Sequence, residues 1–221
     1  MSASTPAPRI VAVRERLLKA NDLLARRLRE RFGAAGVRVI SLVSAPGAGK
    51  TALLEALLPQ LAGERAQAVL VGDLATEYDA ARLRRAAPGL SIRQIATGSV
   101  CHLDAGMIER ALSGWDLRAL DLLWLENVGN LVCPAAYDLG ENQRWVLLSA
   151  TEGEDKPRKY PTIFQSADLA VITKMDLAAA VGFDASAARA SVQAVRPGMR
   201  VLEISSQTGA GLAELRQLAA L

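Results

Sequence analysis

"SAPGAGKT", Ser44 to Thr51, restricts this chain more than any other stretch, because it stands between an apolar run, "VRVISLV", and a helical pattern, "TALLEALLPQL". The string fits the phosphate-loop pattern G-x-x-x-x-G-K-S/T, except that Ser44 replaces the first glycine. Strand, glycine loop and helix in that order aim backbone N–H groups at a helix N-terminus, where they can curl around phosphate oxygens. Lys50 can then reach the β and γ phosphates, and the Thr51 hydroxyl can bind Mg²⁺. The segment expected to contact phosphate runs from Pro46 through Gly47, Ala48, Gly49, Lys50 and Thr51 to Ala52.

The rest of the chain alternates short apolar runs with helical patterns. Strands are predicted at "AQAVLVG", "SIRQIA", "LDLLWLE", "RWVLLSA", "DLAVITK" and "RVLEIS", and helices at "DAARLRRAA", "DAGMIERAL", "DASAARASVQAV" and "GLAELRQLAAL". Val/Ile/Leu-rich strands between helices are buried on both faces, so the fold class is α/β: a doubly wound, mostly parallel sheet with helices on both faces. A length of 221 residues, 51% hydrophobic but only 4% aromatic, suits one such domain with Ala, Leu and Val packing. Residues 1–8 are expected to be disordered and 9–35 to form an amphipathic helix, with the phosphate-loop domain and its sites over 36–221. The helix carries Val13, Leu17, Leu24 and Leu28 as a stripe, expected to face the main domain.

Two acids end strands. Asp73 closes "AVLVGD" and Glu126 closes "LDLLWLE", so both should emerge at the carboxyl edge, where ligands of open α/β sheets bind. Either can hold Mg²⁺, and Glu126 can orient an attacking water; Lys50, Asp73 and Glu126 are the candidate catalytic residues, and Thr51, Asp73 and Glu126 the candidate magnesium ligands. "TKMD", Thr173 to Asp176, is similar to the Asn-Lys-x-Asp guanine-recognition sequence of GTPases, with Thr for Asn. The Asp176 carboxylate can accept from guanine N1–H and the 2-amino group, two donors adenine lacks. Lys174 can cover the base with its aliphatic stem. Ser205 and Ser206, in "SSQTGAG", follow the next strand, where GTPases often place a Ser-Ala-Lys segment beside the base.

"CHLD" sets Cys101 against His102, the only histidine, and the second cysteine is Cys133. Taken alone, the pair reads either as a metal site or as a buried thiol beside an unimportant imidazole. Two cysteines are not a secreted disulfide framework, and no apolar leader precedes "RIVAVRERLL", so a reducing cytoplasm is expected. The longest apolar runs fall short of the roughly 20 residues of a membrane span. A net charge of +3, from 26 basic and 23 acidic residues, gives no reason to expect nucleic acid.

The strings "GDLATEYDAARL", "IATGSVCHLDAGMI", "LENVGNLVCPAAYDLGE" and "SATEGEDKPRKYP" resemble the HypB family, GTPases that assist nickel insertion into nickel–iron hydrogenase. The resemblance runs from about residue 15 to the C-terminus. It implies a GTPase, turning GTP into GDP and phosphate as a switch, whose nucleotide-bound form is a homodimer. It places the ligands for Ni²⁺ on Cys101, His102 and Cys133, with Zn²⁺ as an alternative occupant. It also implies a smaller zinc-containing nickel chaperone as partner and a hydrogenase large subunit as the indirect recipient. The histidine-rich store and the N-terminal cysteine cluster of some relatives have no counterpart in this sequence.

Two thiolates and one imidazole leave tetrahedral zinc incomplete until water or a second chain fills the vacancy, and a two-fold dimer would bring six ligands together. If γ-phosphate orders the segments after Asp73 and Glu126, the loop carrying Cys133 should respond, so metal affinity is expected to depend on the nucleotide. The competing readings are a urease-type or other metalloenzyme accessory GTPase, a small-molecule kinase and a non-catalytic metal-binding module. "CHLD" with "LVCP", rather than a Cys-Pro-His string, argues against the first.

Overall fold

The computed structural model describes residues 9–74 and 77–221, so the eight residues expected to be disordered lie outside it, as do Ala75 and Thr76 just after Asp73. Its strands are β1 (Arg38–Ser44), β2 (Gln67–Asp73), β3 (Ser91–Ala96), β4 (Leu122–Glu126), β5 (Gln143–Ser149), β6 (Leu169–Thr173) and β7 (Arg200–Glu203). They form one sheet in the order β3-β2-β4-β1-β5-β6-β7, with every neighbouring pair parallel. Among the described residues the helices are α1 (Arg9–Ala35), α2 (Lys50–Leu61), α3 (Tyr78–Ala86), α4 (Ala105–Ala111), α5 (Lys156–Lys159), α6 (Pro161–Gln165), α7 (Ala178–Val181), α8 (Ala185–Val195) and α9 (Leu212–Ala220).

The strands alternate their side chains between two packed layers, as a period of two requires. Ile40 and Leu42 of β1 point into a cluster with Leu53, Leu54 and Leu57 of α2 and Leu215 of α9. Val39 points the other way, toward Leu28 and Phe32 of α1 and Ile108 of α4. Farther along the same face Val43 joins Phe164 of α6 and Val192 of α8. Trp124 and Trp145, on opposite sides of β1 in the strand order, meet edge to face at 5.5 Å and 75°, and each indole N–H finds a glutamine oxygen. They are packing residues, contributing about 0.5–1.5 kcal/mol beyond their burial.

Asp104 and Asp184 start α4 and α8 by accepting from the backbone N–H groups of Met107 (2.7 Å) and Ala187 (3.0 Å). Each satisfies a donor that the helix itself cannot.

The stripe on α1 meets the core only in its second half. Ala25, Leu28 and Phe32 are buried, but Val13 is 53% exposed and Leu17 59%. At 1.5 Å per residue a 27-residue helix is roughly 40 Å long, whereas the seven-residue α4 beneath it spans about 10 Å. The expectation that the whole stripe packs on the main domain is therefore corrected: it holds for Leu28 and, partly, Leu24, and fails for Val13 and Leu17.

Sheet register sets the height of the functional edge. Glu126 lies level with Leu42 of β1 and Val71 of β2, so Asp73 stands two residues beyond it and Ser44 two beyond Leu42. The ends of β1, β2 and β4 thus border one crevice.

Candidate functional site

Gly49, in the left-handed region at φ 97°, turns the chain from β1 into α2, a conformation that a side chain would resist. Behind the loop the Lys50 ammonium donates to Ser44 Oγ at 3.0 Å, so the residue that replaces the usual first glycine supplies an acceptor. The Thr51 hydroxyl donates to Glu126 Oε1 at 2.6 Å.

Both charged groups are deeply enclosed: Lys50 is 8% exposed and Glu126 3%. Burial lowers the pKa of Lys50, with Glu126 pulling it back up. Burial raises that of Glu126 to about 7, opposed by Lys50 and by the Thr51 hydroxyl. Glu126 Oε2 is enclosed with no hydrogen-bond partner. An orphaned carboxylate oxygen beside a serviceable hydroxyl suits a hard cation or its water, so the donor set Thr51, Glu126 and Asp73 fits Mg²⁺.

A cavity of about 450 Å³ follows the loop, lined by Lys50, Thr51, Asp73 and Glu126 and by Pro46 and Gly47. A second of about 580 Å³ adjoins it, sharing Gly49, Ala52 and Lys174 and bounded by Asp176 and Ser206. Ala48 lines neither. Its carbonyl accepts from Thr173 Oγ1 at 2.6 Å, so threonine in the place of asparagine still ties the base loop to the phosphate loop.

Lys174 adopts φ 58°, a conformation disfavoured for side chains by roughly 1–2 kcal/mol, and its ammonium donates to the Gly47 carbonyl at 2.7 Å. Asp176 Oδ1 accepts from Ser205 Oγ at 2.6 Å, which fixes the carboxylate from behind; Ser205 itself is buried at 1% exposure.

The metal candidates come from two loops of the same edge. Cys101 and His102 follow β3, and Cys133 opens a 3-10 turn (Cys133–Ala136) after β4. Their donor atoms all lie within 4.8 Å of one another in a single chain, with the two sulfurs 2.8 Å apart and no disulfide. The His102 ring stacks on Tyr137 at 3.8 Å, and its Nδ1 is buried with no hydrogen-bond partner. Burial lowers the His102 pKa, with Asp104 opposing, which favours the neutral imidazole that metals bind. Two soft sulfurs and an imidazole suit nickel or zinc.

The sequence matches the CobW/HypB/UreG nucleotide-binding domain over residues 38–203. The chain belongs to this family. It is 46% identical over 208 residues to the hydrogenase maturation factor HypB of Azotobacter chroococcum, covering 93% of this chain and 67% of that protein. With HypB of Escherichia coli K12 the identity is 44%, over 95% of this chain and 73% of that one. The crystal structure of Helicobacter pylori HypB in complex with nickel superposes with a TM-score of 0.84 at 40% identity, covering 90% of this chain and 93% of that one.

In this HypB-like setting several residues on the sites carry no local signal in the sequence. Arg82 of α3 borders both cavities, paired with Glu55 at 3.1 Å through Nε and lying 3.6 Å from Asp79. Tyr137 and Asn21 frame the metal loops. Asn21 Oδ1 accepts from Ala105 N at 2.8 Å, and its amide donates to the Asp138 carbonyl at 2.9 Å, ties to residues 84 and 117 positions away. Within "SATEGEDKPRKYP" the residues Lys156–Lys159 form α5 and Pro161 begins α6, and Lys159 pairs with Asp155 at 2.6 Å. No helix among the described residues is long and apolar enough to cross a membrane.

Proposed function

We propose that this chain is a GTPase that carries nickel for hydrogenase maturation and dimerises in its nucleotide- or metal-bound form. One observation carries the reading: a phosphate loop with an enclosed, half-satisfied Glu126 and a Cys101–His102–Cys133 cluster share one edge of one sheet. The nickel in the Helicobacter pylori relative supports Ni²⁺ over Zn²⁺ as cargo.

Mg²⁺, held by Thr51, Glu126 and Asp73, would neutralise the β and γ phosphates. Lys50 would exchange its Ser44 contact for phosphate oxygens, the loop amides would cradle the phosphates, and Asp176 would select guanine from its braced position on Ser205. Glu126 would orient water for attack. Hydrolysis then resets a dimer in which two copies of the metal patch face one another. The smaller zinc-containing chaperone would exchange nickel with this patch, and the hydrogenase large subunit would receive it.

The test is a solution mass measurement with nickel and each guanine nucleotide, paired with phosphate release from GTP and from ATP. Dimer mass with nickel or the GTP form, and phosphate from GTP in preference to ATP, are the expected results. Release from neither nucleotide would leave only a metal-binding module, and equal use of ATP would favour a kinase.

The magnesium assignment has its own check. Glu126 sits near 7 in the folded chain against 4.5 normally, so between those values the folded state holds a proton that the unfolded chain has lost. Stability from this group is therefore greatest below the unfolded value and declines as pH rises through about 7. A cation needs the carboxylate, so binding of Mg²⁺ with GDP is expected to release close to one proton more from the wild type than from Glu126→Gln at about pH 6, and little more at about pH 8.5. An excess that is the same at both pH values, or absent, would remove Glu126 from the magnesium shell.

A further inference from the structure

Between Glu126 and Asn130 the chain passes from the nucleotide side to the metal side twice, with Val128 and Gly129 both on the nucleotide cavity. Glu126 meets the Thr51 hydroxyl, on the nucleotide side. Asn127, 2% exposed, is held in the sheet by its own N–H on the Leu42 carbonyl at 3.0 Å, and its Oδ1 accepts from Leu103 N at 3.0 Å and Val128 N at 2.9 Å. Leu103 follows His102 directly, is fully buried, and packs its side chain on Gly72, the neighbour of Asp73. Gly129 returns to the nucleotide side: a Cβ there would lie 2.7 Å from Pro46 Cα, so its backbone rests on the phosphate loop. Asn130 turns back again, its amide 3.4 Å from the Cys101 carbonyl and its Oδ1 accepting from Val132 N at 2.8 Å, one residue before Cys133.

From this alternation we infer that Asn127 is a positioning residue of the metal centre, and that Glu126–Asn130 is the rigid link by which the phosphate loop sets the spacing of the Cys101–His102 arm from Cys133. The inference rests on the metal reading above and adds to it the residues that carry the coupling. Asn127 is suited to the task because one oxygen clamps two backbone donors, and a buried N–H left without its acceptor makes its loop shift or take in water. Gly129 is suited because at that distance from Pro46 the loop cannot move without pushing its neighbour. Two loops that the sequence separates by about thirty positions thus share one anchor beside the magnesium candidate.

The experiment titrates the full chain with Ni²⁺ alone, following thiolate-to-nickel absorption, in the presence of Mg²⁺ with GDP or with a non-hydrolysable GTP analogue. Wild type, Asn127→Ala and Gly129→Ala are compared. In the wild type the two nucleotide states should differ in nickel affinity by about fivefold or more. Asn127→Ala is expected to weaken nickel by roughly 10–100-fold, with an altered absorption band and GDP affinity within about twofold. It should also bring the ratio between nucleotide states close to one. Gly129→Ala wedges the loop from the other end, so it should retain the band and reduce the ratio. Folded variants with wild-type band, affinity and ratio would overturn the link, as would a wild type whose nickel affinity is the same in both states. If Asn127→Ala does not fold, the Gly129→Ala ratio decides. A wild type with no thiolate-to-nickel band would instead defeat the metal reading on which the inference stands.

Discussion

Lys50→Ala is expected to lower phosphate release from GTP by about two to three orders of magnitude, the loss typical of removing one preorganised charge-stabilising donor. The effect is large because the ammonium is already enclosed. At 8% exposure its desolvation is met on folding, so it needs little reorganisation when phosphate replaces Ser44 as its partner. Folding should tolerate the change because Glu126, left buried without its cation, takes up a proton instead of remaining an unpaired carboxylate. Lys50 is the first of the groups that hold the Glu126 pKa down, so the variant should shift proton release on Mg²⁺ binding to higher pH. Single-turnover phosphate release, GDP affinity and the pH dependence of proton release separate these contributions. Hydrolysis within tenfold of wild type would mean that the loop binds phosphate without Lys50 at its centre.

Most of the sheet was legible because its strands are buried on both faces, which forces uninterrupted Val, Leu and Ile runs. Asp73 and Glu126 could be placed at strand ends for the same reason: the apolar run stops where the chain leaves the core. Local reading failed where structure depends on partners far away in sequence. The α1 stripe looks uniform from Val13 to Leu28, yet only the part lying over α4 is covered. Asn21 looks like an ordinary polar position on a helix, although it joins Ala105 to Asp138. Arg82 reads as one charge among several on α3, and only folding brings it against Glu55 between the two cavities. The 3-10 turn that presents Cys133 has too few residues for any periodicity to register. Cys101, His102 and Cys133 were therefore named through resemblance, and the fold adds that one chain is enough to bring them together.

Cys133→Ala is expected to weaken nickel by roughly a hundredfold or more, at the upper end of what even second-layer changes cause around a bound metal. Cys101 and His102 are adjacent in one bend and remain as a pair, but the opposing donor, delivered by a separate loop, is lost. Cys133 is followed by Pro134, which is buried, so its turn is stiff and no neighbouring donor can swing into the gap. Because the thiol is only half-buried, its removal should alter thermal stability without metal by less than about 1 kcal/mol, the range of changes outside the packed core. Nickel-dependent dimer mass should disappear while dimer formation driven by the GTP form persists, since the phosphate loop is untouched. Loss of both would show that the metal patch forms part of the nucleotide-driven interface. Retention of wild-type nickel affinity would place the metal elsewhere, because neither water nor the Asn130 amide supplies the negative charge and sulfur donor that the Cys133 thiolate gives.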